Sequence, residues 1–291
     1  MEYNYNKIRI ELGALVTGMF YSAQFERIKA FNRIRQIMYR KIEGKELTEK
    51  SDKKEESEKF QDLYNDKKLI KYINENKIKL STEEQGYVDK LIKLLDDSLK
   101  NEKLYKTWMH DYIELEPIYD KWLKNVKGIS TISTSNLLQY FGYCEKAKHC
   151  SSLWKYAGLH VVNGHSPKRE KTTKEEKSEG KSNQLDWNPK LRSLLYRIGD
   201  SFIKQRTPIY RDIYDKEKER QLKLGGWNEE KRIMKDKDKE GAPQRLLHAD
   251  LRARRKMVKE FLRQYYVNCL LIRGIEPDLP YSARYHQNEK I

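Results

Sequence analysis

VKGISTISTSNLLQYFG, residues 126–142, decides how this 291-residue chain is read. A helix that starts near Pro117 runs to about Val126 and breaks at Gly128. Ser130 then offers its hydroxyl as the N-cap of a second helix. Ile132, Leu137, Leu138 and Phe141 form that helix's inward face, and Gly142 ends it. Helix, glycine turn and helix together make a helix-hairpin-helix-like element, with backbone N–H groups at the start of the second helix available to a phosphate. Lys127, Gly128 and Ser130 are its candidate nucleic-acid contacts, serine standing where a second glycine is usual.

Moving toward the C-terminus, SLWKYAGLHVVNGHS (152–166) reads as a short helix running into an extended segment, with Gly158 inside it. KREKTTKEEKSEGKSNQ (168–184) has no apolar residue to bury and is expected to be a flexible loop. Asn188 as cap and Pro189 at the first helical position signpost the next helix, with Leu191, Leu194, Leu195, Ile198 and Phe202 on one face. Thr207 and Pro208 give the same start signal again. Lys223–Gly241 reads as a charged connection, and a last long helix closes near Arg273, before Gly274 and Pro277.

Toward the N-terminus, apolar residues from Leu12 to Ile42 recur at steps of three and four: Leu12, Leu15, Val16, Met19, Phe20, Ala23, Ile28, Phe31, Ile34 and Met38. The pattern resumes after a run of mixed charge at 44–62 and again through Tyr87–Leu95 and Tyr105–Ile113. The expected architecture is therefore all-α: an extended, coiled-coil-like arm over residues 1–125, then a helical domain over 126–291.

Lysine and arginine number 60 against 44 acidic residues, a formal charge of +16, with a pI near 9.4 and a mean hydropathy of -0.96. Such an excess attracts polyanions, which points to DNA or RNA. In the last helix His248, Arg252, Arg255, Lys259 and Arg263 fall on one stripe, with Leu247, Leu251, Val258, Phe261, Leu262 and Tyr265 on the adjoining apolar face. No acid interrupts the stripe in this reading, so its charges call for an anionic neighbour. Lys168, Arg169, Lys190 and Arg192 extend the candidate surface. Cys144, Cys150 and Cys269 match no zinc spacing, so no intrinsic metal or other cofactor is expected and a reducing, cytoplasmic setting is. No run approaches the length of a membrane span. Asp111, Glu114, Glu116 and Asp120 are expected to be solvated.

The blocks VKGISTISTSNLLQYFG, SLWKYAGLHVVNGHS, WNPKLRSLLYRIG, IYRDIYDKEK and HADLRARRKMVKEFL, in that order, resemble the C-terminal transposase domain of the IS-one-ten (IS-one-sixteen, IS-nine-oh-two) insertion-sequence family, which includes the Piv-type DNA invertases. The resemblance covers about Lys121–Arg273. It implies DNA transposition or recombination, a structured guide-type RNA as a partner, and a strand-transfer serine that falls on Ser166. It also implies an N-terminal RuvC-like nuclease domain with four metal-binding carboxylates, and residues 1–125 read as helices without one. Three functions follow as expectations. The first is a DNA-binding protein, acting in recombination or exapted, that forms homo-oligomers through its arm. The second is an active recombinase using Ser166, with carboxylates and Mg2+ supplied by a partner. The third is an RNA-binding or structural helical scaffold.

Overall fold

The computed structural model describes residues 7–44, 71–72, 75, 80–162, 166–167, 185–224 and 242–277. The charged run at 45–62, the polar segment 168–184 and the connection at 225–241 lie outside them. The described residues form helices: α1 (Lys7–Glu43), α2 (Thr82–Glu114), α3 (Pro117–Lys121), α4 (Thr131–Phe141), α5 (Cys150–Tyr156), α6 (Pro189–Lys204), α7 (Tyr210–Leu224) and α8 (Ala242–Ile272), with a 3-10 turn at Leu123–Asn125. The all-α expectation holds. None of these helices is long and apolar enough to cross a membrane.

Two compact units emerge, one of residues 15–110 and one joining 1–14 to 111–291. The division differs from the expected boundary at 125, because Ile118 and Leu123 are fully buried in the core of the C-terminal unit.

In the 15–110 unit, α1 and α2 run antiparallel, shown by Arg27 donating to Glu102 at 2.6 Å and Lys41 pairing with Glu84 at 2.7 Å. Ala30, Phe31, Ile34, Met38 and Tyr39 pack with Val88, Leu91 and Leu95. A capping box starts α2: the Glu84 amide donates to the Ser81 hydroxyl and the Ser81 amide donates to the Glu84 carboxylate. Leu15, Met19 and Ile28, assigned to the buried face by their spacing, stay exposed. The buried face is narrower than the apolar pattern because one partner helix covers only one stripe.

In the larger unit α8 is the central element. Ala253, Met257, Val258, Phe261, Leu262, Tyr265, Cys269 and Ile272 recur at helical steps and are buried. α7 lies antiparallel along it, Tyr210 donating to Gln264 while Arg252 donates to Gln221. Phe202, Tyr210 and Phe261 form a ring cluster with centroids 4.5–5.8 Å apart. Pairs of this kind add about 0.5–1.5 kcal/mol each beyond area burial. Leu247 and Leu251, expected on this apolar face, are exposed, and Ala249 and Ala253 take the buried positions instead.

Glu116 corrects a further expectation: it is fully buried rather than solvated. Tyr143 donates to its carboxylate at 2.8 Å, and Arg9 lies 3.6 Å away. Burial is the largest influence on it and pushes its pKa up, against the opposing Tyr143 bond and Arg9 charge.

Candidate nucleic-acid interface

α6 fixes the site, and its start is built as the sequence indicates. The Asn188 side-chain oxygen accepts from the amides of Lys190 and Leu191 at 3.0 and 3.1 Å, with Pro189 in the first turn. Asn188 is itself pinned, its amide donating to the Tyr156 carbonyl at 2.8 Å. α5 therefore positions the first turn of α6, and Arg192 with it.

α5 ends in a Schellman arrangement: the Leu159 amide donates to the Trp154 carbonyl and the Gly158 amide to the Lys155 carbonyl. Gly158 adopts φ +65°, and a Cβ there would stand 2.6 Å from the Trp187 ring. Only glycine allows the indole to lie this close to the backbone. Trp187 in turn carries the Arg192 guanidinium over its ring, 5.0 Å from the centroid. Arg192 donates to the Ser166 hydroxyl at 2.7 Å and to the Pro167 carbonyl at 2.8 Å. Gly158, Trp187, Arg192 and Ser166 are thus one stack of contacts from backbone to hydroxyl.

From α8, Arg255 and Lys259 bring their charges to the same place. Burial lowers the Arg192 pKa; it also lowers that of Arg255, which the Arg192 and Arg252 charges depress further. Lys259 is lowered first by burial and then by Arg255. Its ammonium sits over the Trp154 ring at 4.9 Å, and the Trp154 indole N–H donates to the Lys259 carbonyl. Among the described residues no carboxylate pairs with Arg192, Arg255 or Lys259, in contrast to Arg254, which holds both Asp250 and Asp200. Like charges that are half-buried and uncompensated repel at short range.

The rest of the stripe divides. Arg263 is neutralised by both oxygens of Glu260, one helical turn before it, so the expectation of a stripe without acids is corrected. The i,i+3 spacing of these two residues was the signal to read. Arg252 is exposed and uses Gln221. His248 and Lys190 are exposed, Lys190 two residues before Arg192 on α6. Lys168 and Arg169 lie outside the described residues.

The glycine hairpin sits elsewhere. Gly128 has φ +94° and packs against Ser201, Phe202 and Thr207. Ser201 donates to the Gly128 carbonyl and Thr207 to the Lys127 carbonyl, both at 2.8 Å. Thr207 thus tethers the hairpin with the hydroxyl expected to cap α7. Ser130 caps α4, accepting from the Ser133 amide, and is exposed together with Lys127. Nine residues of α6 separate Arg192 from Ser201, about 14 Å at the helical rise. Hairpin and cation cluster therefore occupy opposite ends of one helix. Among the described residues no group of three or more His, Cys, Asp and Glu side chains could hold a metal ion, and the Arg192 guanidinium at Ser166 does not suit one.

No known protein family, curated protein or solved structure matches the chain.

Proposed function

We propose that the protein binds DNA through the C-terminal unit, as a relative of insertion-sequence transposases acting in transposition or recombination. The observation that carries this reading is the half-buried set Arg192, Arg255 and Lys259, without a carboxylate partner among the described residues, with Arg192 bonded to the Ser166 hydroxyl. A polyphosphate strand supplies the missing negative charge, and the exposed Lys127 and Ser130 at the far end of α6 extend the footprint along a backbone. With about six phosphates neutralised, log K falls against log[salt] with a slope near -5. Gel shifts of duplex DNA, single-stranded DNA and a structured RNA at several salt concentrations test it, and affinity that is flat in salt would refute it. Preference for the structured RNA would move the reading to an RNA-binding factor.

The 2.7 Å bond from Arg192 to the Ser166 hydroxyl favours a second reading, in which Ser166 attacks a phosphodiester. The serine Oγ–P bond forms and the P–O bond to the departing strand breaks. The serine proton leaves to water, and the departing oxygen takes one back. The carboxylates and Mg2+ of the resemblance would come from a partner chain, and no step is drawn through them. A protein–DNA adduct on a denaturing gel, absent in Ser166→Ala, is the expected result. Equal adduct in both proteins rejects it.

A further inference from the structure

We infer that Arg192, Arg255 and Lys259 form an oxyanion pocket for one phosphate group, in which Arg255 is the direct ligand of that phosphate and Arg192 a positioning residue. The pocket specifies one subsite within the proposed nucleic-acid surface, and it rests on that reading only for the source of the phosphate.

The three cations differ in what already holds them. Arg192 spends its donors on Ser166 and the Pro167 carbonyl and its face on Trp187. Lys259 rests on the Trp154 ring. Arg255 has no hydrogen bond and no ion pair among the described residues, although it is only partly exposed. It stands one turn before Lys259 on α8 and next to Arg254, which lies over the ring of Tyr196, one turn after Arg192 on α6; burial, and then the Arg192 and Arg252 charges, lower its pKa. A guanidinium brings five N–H donors in a planar fork suited to two oxygens of one phosphate. Left empty, the fork gains nothing for its lost hydration, and its neighbours repel it. Such a charge destabilises the free protein and is relieved by a bound anion.

This produces an unusual pair of effects from a single substitution. Arg255→Gln removes a repelled charge, so the free variant should melt higher than the wild type in chloride. The same change removes the ligand, so the stabilisation that phosphate confers should vanish. Thermal melts of the full chain in sodium phosphate, and in sodium chloride at matched ionic strength, read both. Wild type should gain about 2–4 °C in phosphate for each tenfold step in concentration above the dissociation constant. Arg211→Gln, which loses bonds to Asp215 and to the Ile203 carbonyl at the far end of α6 from Arg192, should melt lower in chloride yet keep the phosphate gain.

An Arg255→Gln variant that retains the phosphate gain, or that melts below wild type in chloride, overturns the pocket. Binding of a single-stranded oligodeoxynucleotide separates the two levels of the argument. A phosphate gain lost in Arg255→Gln, in a protein that shows no oligonucleotide binding, upholds the pocket and removes the DNA reading. Salt-steep oligonucleotide binding with unchanged affinity in Arg255→Gln does the reverse. When both hold, Arg255→Gln weakens the oligonucleotide by roughly tenfold.

Discussion

Replacing Gly158 by alanine tests whether the site is held from its backbone. Two penalties act at this position and can be separated. The first is conformational: φ is +65°, and an L side chain in the left-handed region costs about 1–2 kcal/mol. The second is steric. The new methyl would meet Trp187 Cε3 at 2.6 Å and Cδ2 at 2.9 Å, and the indole is a rigid ring that is almost fully buried. An overpacked contact of this kind costs about 1–3 kcal/mol more. Gly274 supplies the control within the same unit. It closes α8 with the same Schellman bonds at φ +72°, and a Cβ there would meet nothing within 4 Å. Gly274→Ala should therefore lose about 1–2 kcal/mol and Gly158→Ala about 2–5 in urea denaturation. Tryptophan near-UV dichroism should change only in Gly158→Ala. A displaced Trp187 carries Arg192 with it, so the salt slope of DNA binding should flatten by about one phosphate, near 0.9. Equal losses in the two variants would show that Trp187 yields freely, and the chain of contacts from Gly158 to Ser166 would no longer explain how Arg192 is placed.

Two carboxylates in the same unit should give pH effects of opposite sign. Glu217 is held by Arg220, then by Lys256 and Gln221, and its pKa falls from 4.5 to about 2. The stability it contributes is present above its ordinary value and is lost as pH falls toward about 2, so Glu217→Gln should cost about 1–3 kcal/mol at pH 7 and flatten the acid limb of a stability profile. An unchanged acid limb would remove that assignment. Glu116 is raised by burial, so its contribution is complete below the ordinary carboxylate range and declines as pH rises through the raised value. Glu116→Gln should erase this decline and leave a protein at least as stable at pH 7, because glutamine still accepts from Tyr143; marked destabilisation at pH 7 would show that the Arg9 attraction dominates instead. The exposed Leu15 and Met19 bear on the proposed self-association: changing both to lysine should shift sedimentation toward a monomer, and an unaltered profile would exclude them from an interface.

Local chemistry carried most of the fold. Asn188-Pro189, Ser130 and Gly274 do what their residue types dictate, because caps and left-handed turns depend on a few neighbouring atoms. Exposure was harder to read where apolar residues outnumber the partners that can cover them. Leu12, Leu15, Leu247 and Leu251 fit a helical period yet face outward, while small Ala249 and Ala253 let α8 approach its neighbours. Glu116 shows the limit from the polar side. Its burial depends on Tyr143, 27 residues away in sequence, and on Arg9, more than a hundred residues before that tyrosine.

The cation stripe illustrates the same limit at the functional level. Helical spacing put five residues on one face of α8, but spacing alone could not distinguish Arg263, satisfied by Glu260, from Arg255, which has no carboxylate partner among the described residues. The difference comes from Arg192 on α6, whose charge acts on Arg255 and which Asn188 and Trp187 hold against the end of α5. A folded protein ordinarily places a partly buried guanidinium against a carboxylate, and this unit does so for Arg211, Arg254 and Arg263. Departure from that rule among the described residues at Arg192, Arg255 and Lys259, like charges that repel one another, is a conflict between stability and local charge. Such conflicts are expected where function sets the sequence. The contrast among these residues therefore locates the site more sharply than the total charge of +16, which any basic scaffold could share.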